Sequence, residues 1–336
     1  MLWRLSAWHG WGEPMATYAG VDLGATNIRA VVGTADRDIV GADRRPTPTA
    51  TTGTAVTEAV VDSLTAACHA AGTTPGALTA VGVGSFGPLD LAAGAVVDPA
   101  NLPDSVSEIP LREPLAALLD GGTVTIQNDT VAGIVAERTY GDDTPDNMVY
   151  LTMSSGIGAG VCVDGHILSG WNGNVGEVGH LTLDPTGTMT CGCGAPGHWE
   201  AYCSGENIPR YARLLHEAEG YDTDLDLAEL DAATLFAAED DELATAVVDR
   251  LAEWNTLGIA NVANTFAPTC ISVGGAVALH NPDRILQPVR ERIGDYIVGN
   301  VPEIRLTSLG EDVVVKGALA SVTPNASLDT DSPRHD

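Results

Sequence analysis

The chain has 336 residues, 44% of them hydrophobic, which is ordinary for a globular protein and long enough for two domains around a large core. Its formal net charge is -29, with Lys316 its one lysine and the acids spread through most segments. So few cations argue against nucleic-acid binding. No apolar run reaches membrane-spanning length, and "MLWRLSAWHGWGEP" lacks the apolar core and cleavage site of a secretory signal.

At this charge, self-repulsion weakens a fold in dilute buffer, whereas about 1 M salt shortens the Debye length to about 3 Å and screens it. The composition points to a cytoplasmic, halophilic protein. Among the Cys, Cys68, Cys162 and Cys270 sit in apolar runs and read as small buried hydrophobes, while Cys191, Cys193 and Cys203 cluster.

In chain order, residues 1–17 are expected to be a disordered extension. "TYAGVDLGATNIRAVVGT" reads as two strands around a tight turn at Gly24–Thr26, and "DIVGADRRP" as a third. "TGTAVTEAVVDSLTAACHAAG" is an amphipathic helix ending at Gly72. "LTAVGVGSFGP" is a buried strand running into a loop, "TVTIQND" another strand, and "TVAGIVAERTYG" the helix after it. "NMVYLTMSSGIGAGVCVDG" is again strand, Gly-rich turn, strand. A helical region follows from about Glu206 to Asn264, then a strand "TCISVGG" and a helix "PDRILQPVRERIGDYI". "DVVVKGALASV" reads as a strand that ends as a helix, and residues 323–336 as a disordered tail. This alternation is α/β. "VDLGATNIRAVVG" and "LTMSSGIGAGVCV" echo each other, which suggests two related domains offering backbone amides to one anion.

Four segments bear chemistry. In "DLGAT", Gly24 and Ala25 let backbone N–H groups approach a phosphate, Thr26 adds a hydroxyl, and Asp22 is placed to hold a Mg²⁺-bound water; the same residues also suit a plain hairpin. "SSGIGAG" (154–160) is a second small-residue turn; no GK[ST] follows it, and a strand rather than a helix comes next, so neither a Walker loop nor a dinucleotide fingerprint fits. In "QNDT", Asn128 or Asp129 is a helix N-cap; alternatively Asp129 is a general base and Asn128 positions its substrate. His180, Cys191, Cys193 and His198 have the spacing H-x₁₀-C-x-C-x₄-H, a set of four donors suited to tetrahedral structural Zn²⁺, with Cys203 as a spare.

With these segments in order, the chain resembles the ROK family (repressor, open reading frame, kinase), most closely its glucokinase-type members, from Tyr18 to about Val322. "GEVGH…CGCGAPGHWEAYCSG" is similar to the family's zinc signature, "DLGATNIRA" to its first phosphate motif, "GSFGPLD…VVDPANLPD" to its sugar-side loop, "QND" to its catalytic pair and "SVGGAVA" to the Gly-Gly segment near adenine. The resemblance implies an actin-like, ribonuclease H-like sugar-kinase fold of two lobes around a cleft: a small lobe over 18–122 completed by the C-terminal helix at about 310–322, and a large lobe over 123–309 carrying the zinc loop. It implies ATP, Mg²⁺ and structural Zn²⁺, a homodimer or homotetramer, and transfer of phosphate to the 6-hydroxyl of glucose. Asp129 is then the base, and Gly87, Asn101, Asn128, Glu177, His180 and Glu200 hold the sugar. Asp22, Gly24, Ala25, Thr26, Asn27, Ser154, Ser155, Gly156, Gly274 and Gly275 face the nucleotide. His180 serves twice, one ring nitrogen toward the sugar and the other on zinc.

The chain departs from the family pattern in three places. His198 stands where the family has a third zinc Cys, Ser154-Ser155 where it has Gly-Thr, and "DSVSEIP" where a Trp follows "NLP". The last departure bears on sugar preference more than on reaction type. The alternatives are an N-acetylhexosamine kinase or fructokinase, a sugar-responsive regulator without catalysis, and polyphosphate as donor.

Overall fold

The computed structural model describes residues 16–48, 52–99, 102–103 and 106–324. The expected extension and tail fall almost entirely outside the described residues, as does Asn101. No helix among the described residues is long and apolar enough to cross a membrane.

β1 (Thr17–Leu23), β2 (Asn27–Thr34) and β3 (Ile39–Pro46) form an antiparallel meander. Helix α1 (Gly53–Ala70) crosses over, and β4 (Leu78–Ser85) returns parallel to β1. The short strands β5 (Leu89–Asp90), β6 (Ala95–Val97) and β7 (Glu108–Pro110) pair in a small separate sheet. After α2 (Arg112–Ala116), β8 (Thr123–Asn128) joins β4 in parallel, completing the order β3-β2-β1-β4-β8. The lobe boundary expected at 122/123 falls just before β8, a strand of the first sheet.

Helix α3 (Asp129–Tyr140) leads to a second meander, β9 (Met148–Met153), β10 (Ile157–Val163) and β11 (His166–Ile167). A long excursion contains α4 (Glu200–Cys203), α5 (Ile208–Glu219), α6 (Ala232–Ala237) and α7 (Glu242–Phe266). β12 (Cys270–Gly274), α8 (Ala276–His280), α9 (Pro282–Arg292) and β13 (Glu303–Leu306) follow, and β12 and β13 run parallel to β9. The order β11-β10-β9-β12-β13 repeats that of the first sheet, a meander followed by two parallel strands. The echo read in the sequence is thus a structural duplication, and the two Gly-rich turns join corresponding strands. This is the expected actin-like, two-lobe α/β fold.

The helical region read from Glu206 to Asn264 is three helices. Gly220, in the left-handed conformation at φ 72°, ends α5. Asp231 and Asp241 start α6 and α7, each accepting a hydrogen bond from a backbone N–H of the first turn. Acids that composition alone assigns to a solvated surface therefore also shape the chain.

One sequence expectation is overturned. "DVVVKGALASV" does not begin as a strand: α10 (Val313–Ala320) is helical through its valines. β-Branched residues favour strands only weakly, and packing overrides the preference. Val313 and Val315 are buried, the latter in one cluster with Tyr18, Val31, Ala80 and Leu319. α10 lies on β1, β2 and β4 of the first sheet, α3 lies on β9 and β10 of the second, and the two helices pack on each other between the sheets. The approach is backbone on backbone. A Cβ at Gly82 would overlap the Ala318 carbonyl, and one at Gly317 would overlap the Ala132 carbonyl. Gly317→Ala is accordingly expected to destabilise the fold by about 1–3 kcal/mol through overpacking. A thermal or denaturant midpoint equal to wild type would contradict this close packing.

Candidate active site

A cleft of about 1770 Å³ is lined from both sheets, from α3 and from the excursion before α5. At the end of β1, the turn Gly24–Thr26 is closed by a hydrogen bond from Gly24 N to Asn27 O (3.0 Å) and pinned by Thr47, whose Oγ1 donates to Gly24 O (2.7 Å). At the end of β9, the turn Ser154–Gly156 is closed by Ser154 N to Gly156 O (2.9 Å). Asp22, Gly24, Ala25, Thr26, Asn27, Ser154, Ser155 and Gly156 all line the cleft. Gly275 lines it too, whereas Gly274 is the buried end of β12, where a Cβ would press on the Tyr150 hydroxyl at 2.7 Å.

Of the two readings of "QND", the helix cap is the one the structure shows. Asn128 is the N-cap of α3: its Oδ1 accepts from Thr130 N (2.9 Å) and from Thr130 Oγ1 (2.7 Å). Its Nδ2 faces Gly87, at 3.5 Å from where a Cβ there would stand, and both residues line the cleft. The cap oxygen and the cleft-facing nitrogen are thus separate ends of one amide. Asp129, the first residue of α3, also lines the cleft. Burial pushes its carboxyl up to about 7, reinforced by the charges of Asp22 and Glu177 and opposed by the Thr130 N–H. Burial likewise raises Asp22 to about 6, against the pull of Arg29. Two carboxylates of one sign in a cleft, one held near neutrality, are a pattern of acid–base sites.

Glu177, His180 and Glu200 line the same cleft. His180 Nε2 stands 3.7 Å from Glu177 Oε2, while its Nδ1 stands 3.7 Å from Cys191 Sγ. Cys193 Sγ is 3.3 Å from His198 Nδ1, and the donor atoms of His180, Cys191, Cys193 and His198 all lie within 4.8 Å of one another. With Zn–S about 2.3 Å and Zn–N about 2.0–2.1 Å, tetrahedral ligand atoms stand about 3.3–3.8 Å apart; the 3.7 and 3.3 Å contacts match that spacing, and the quartet as a whole is a little wider, within 4.8 Å. Burial and the neighbouring His180 lower the pKa of His198, which favours the neutral ring that ligation needs. Cys203, the spare candidate, is instead packed in the core with Trp199. Cys68, Cys162 and Cys270 are buried, as their apolar contexts suggested.

Glu200 joins this loop to the second turn: its Oε2 accepts from Ile157 N (2.8 Å), and its Oε1 lies 3.7 Å from Cys191 Sγ. Just before it, the fully buried Trp199 donates from Nε1 to Asn255 Oδ1 on α7 (3.0 Å), which fixes where α4 starts.

Sequence reasoning missed the cations of the cleft. Arg29 and Arg44 are register partners on β2 and β3, and both line it. Arg29 bridges Asp22 Oδ2 (3.0 Å) and Glu311 Oε2 (2.8 Å), and Arg44 meets the same Glu311 oxygen at 3.0 Å. His280 Nε2 is 3.7 Å from Glu311 Oε1. The available signal was a charge interrupting the apolar strand "NIRAVV", three residues past the phosphate turn.

The sequence model of the ROK family matches residues 18–324. A glucokinase of Pyrobaculum calidifontis is 34% identical over 324 residues, covering 95% of this chain and 100% of that protein. Among solved structures, a ROK hexokinase from Thermus thermophilus is 31% identical with a TM-score of 0.74, covering 90% of this chain and 96% of its own. A ROK family glucokinase from Streptomyces griseus, in complex with glucose and AMPPNP, is 26% identical with a TM-score of 0.75, covering 91% and 99%. The duplicated fold, the cleft between its halves and these likenesses converge: the chain belongs to the ROK family.

Proposed function

We propose that this protein is an ATP-dependent hexose kinase that phosphorylates the 6-hydroxyl of glucose. The observation that supports it most is Asp129, a carboxylate at the head of α3, in the same cleft as both Gly-rich turns and poised near neutral pKa. The glucokinases among its relatives supply the sugar and the donor.

In this reading Asp129 takes the hydroxyl proton as the oxygen attacks the γ-phosphorus in line. Asn128 Nδ2, the Gly87 backbone, Glu177, His180, Glu200 and Asn101 hold the ring. The two turns offer amides to the phosphates, and Arg29 and Arg44, beside the first turn, add positive charge to the cleft. Asp22 would hold a Mg²⁺-bound water, and the ion would supply positive charge to offset that developing on the phosphates. His180, Cys191, Cys193 and His198 would hold a structural Zn²⁺ that orders the loop aiming Glu177 and Glu200 at the sugar. Closure of a small lobe, formed by the first sheet with α1 and α10, on the large lobe excludes water and so limits ATP hydrolysis. A cytoplasmic, salt-adapted homo-oligomer completes the proposal.

An ADP-release assay in molar salt tests it against glucose, fructose, N-acetylmannosamine and N-acetylglucosamine, with ATP or polyphosphate as donor. Preference for glucose and ATP is expected; turnover of no hexose would refute the reading. The same assay gives a pH profile. Because the base must be ionised and its pKa is raised, kcat/KM should be full above about 7 and fall about tenfold per unit below it. An acid limb near 4 would mean that the base is a carboxylate in an ordinary environment.

A further inference from the structure

The metal-ligand loop is also closed by a set of contacts that uses no metal donor. Asp184 is 7% exposed, and both its oxygens are occupied. Oδ1 accepts from Thr186 N (2.8 Å) and Thr186 Oγ1 (2.6 Å), while Oδ2 accepts from Thr188 N (2.9 Å) and the Tyr202 hydroxyl (2.5 Å). That hydroxyl in turn accepts from Met189 N (3.0 Å). One carboxylate and one phenol thereby tie residues 186–189 to helix α4. The Tyr202 ring is 1% exposed, edge-on to Tyr211 at 5.1 Å and 4.8 Å from Trp254, so the phenol is fixed against α5 and α7.

Helix α4 is a single turn, too short to hold its own direction. Its placement comes from its ends. Glu200, which lines the cleft, is held by Ile157 N beside the second turn; two residues on, Tyr202 is held by Asp184. The loop backbone adds Leu183 N and Asp184 N to Gly197 O (2.9 and 3.0 Å) and Gly197 N to Met189 O (2.8 Å).

We propose that Asp184 and Tyr202 form a second, metal-independent clasp, and that they are positioning residues which hold Glu200 at the sugar side of the cleft. The labour is divided. The four metal donors fix His180 and the loop tip from Cys191 to His198, whereas the clasp fixes residues 184–189 and α4. The kinetic consequence rests on the kinase reading; the structural one does not.

Two variants test it. Tyr202→Phe keeps the packed ring and deletes one O–H, which leaves Asp184 short of a donor and Met189 N short of an acceptor. Asp184→Asn turns an NH₂ toward donors. In each, zinc per chain is measured by elemental analysis, kinetics are measured against glucose and ATP, and limited proteolysis is followed with and without chelator. Tyr202→Phe should retain the zinc content of wild type and near-wild-type kcat and ATP KM, while its glucose KM rises about tenfold, the scale of one lost hydrogen bond to a charged group. Chelated wild type should resist cleavage at 184–189, and chelated Tyr202→Phe should be cut there. An unchanged glucose KM together with equal proteolysis of the two chelated proteins would overturn the clasp, as would equal increases in both KM values. If neither protein phosphorylates any hexose, the kinase reading fails and proteolysis alone decides the clasp.

Discussion

Asp129→Asn should lower kcat for glucose by roughly 10²–10⁴-fold, the usual worth of a general base, while glucose binding by calorimetry stays close to wild type. Asn preserves the size of the side chain, and the cap of α3 belongs to Asn128, so the helix start is not disturbed. The variant also has a stability signature. A buried acid whose pKa is raised in the folded state is destabilising wherever the unfolded chain has ionised and the folded chain must follow. That penalty begins near the ordinary carboxylate pKa, grows as pH rises and is complete above about 7. The variant lacks it, so its melting temperature should match wild type at about pH 4 and exceed it at about pH 8. Wild-type turnover would sink the assignment of Asp129 as base. A glucose affinity that falls as far as kcat would make it a binding residue instead.

Cys191→Ser should release the zinc, soften the loop and raise the glucose KM at least as far as loss of the clasp does, with the ATP KM little changed. Structural zinc contributes on the order of 10 kcal/mol in small domains; here part of the loop is held independently, so a smaller loss of stability is expected. Cys191 is 3% exposed, and without a cation burial pushes its thiol up to about 12. Binding the ion must therefore expel a proton, and occupancy should fall as pH drops. Elemental analysis that finds no zinc in wild type would end the idea, and an unaltered glucose KM in the variant would detach the loop from the sugar.

The parts of the site that were legible in the sequence are those built from neighbours in the chain. The turns at Gly24–Thr26 and Ser154–Gly156, the pair Asn128-Asp129 and the quartet from His180 to His198 each announce themselves by residue type at short spacing. What was not legible depends on residues far apart in sequence. Glu311 meets Arg29 and Arg44 across more than 260 positions, and no local pattern encodes that meeting. Val313–Val315 misled because three β-branched residues resemble a strand until the sheet beneath them is known. The small sheet β5–β7 escaped notice because its strands are two or three residues long, below the length at which alternation can be seen. Asp231 and Asp241 were counted only as charge, since a cap is recognised by where the helix begins.

The seating of α10 has a consequence for biosynthesis. Tyr18, Val31 and Ala80 are synthesised well before the residues that cover them, Val315 and Leu319, which come more than 230 positions after the last of the three. Until α10 is made, this patch of the first sheet lacks that helix as cover. The nascent chain must stay soluble with that surface bare, and its dense negative charge provides the repulsion that keeps such chains apart in the interval.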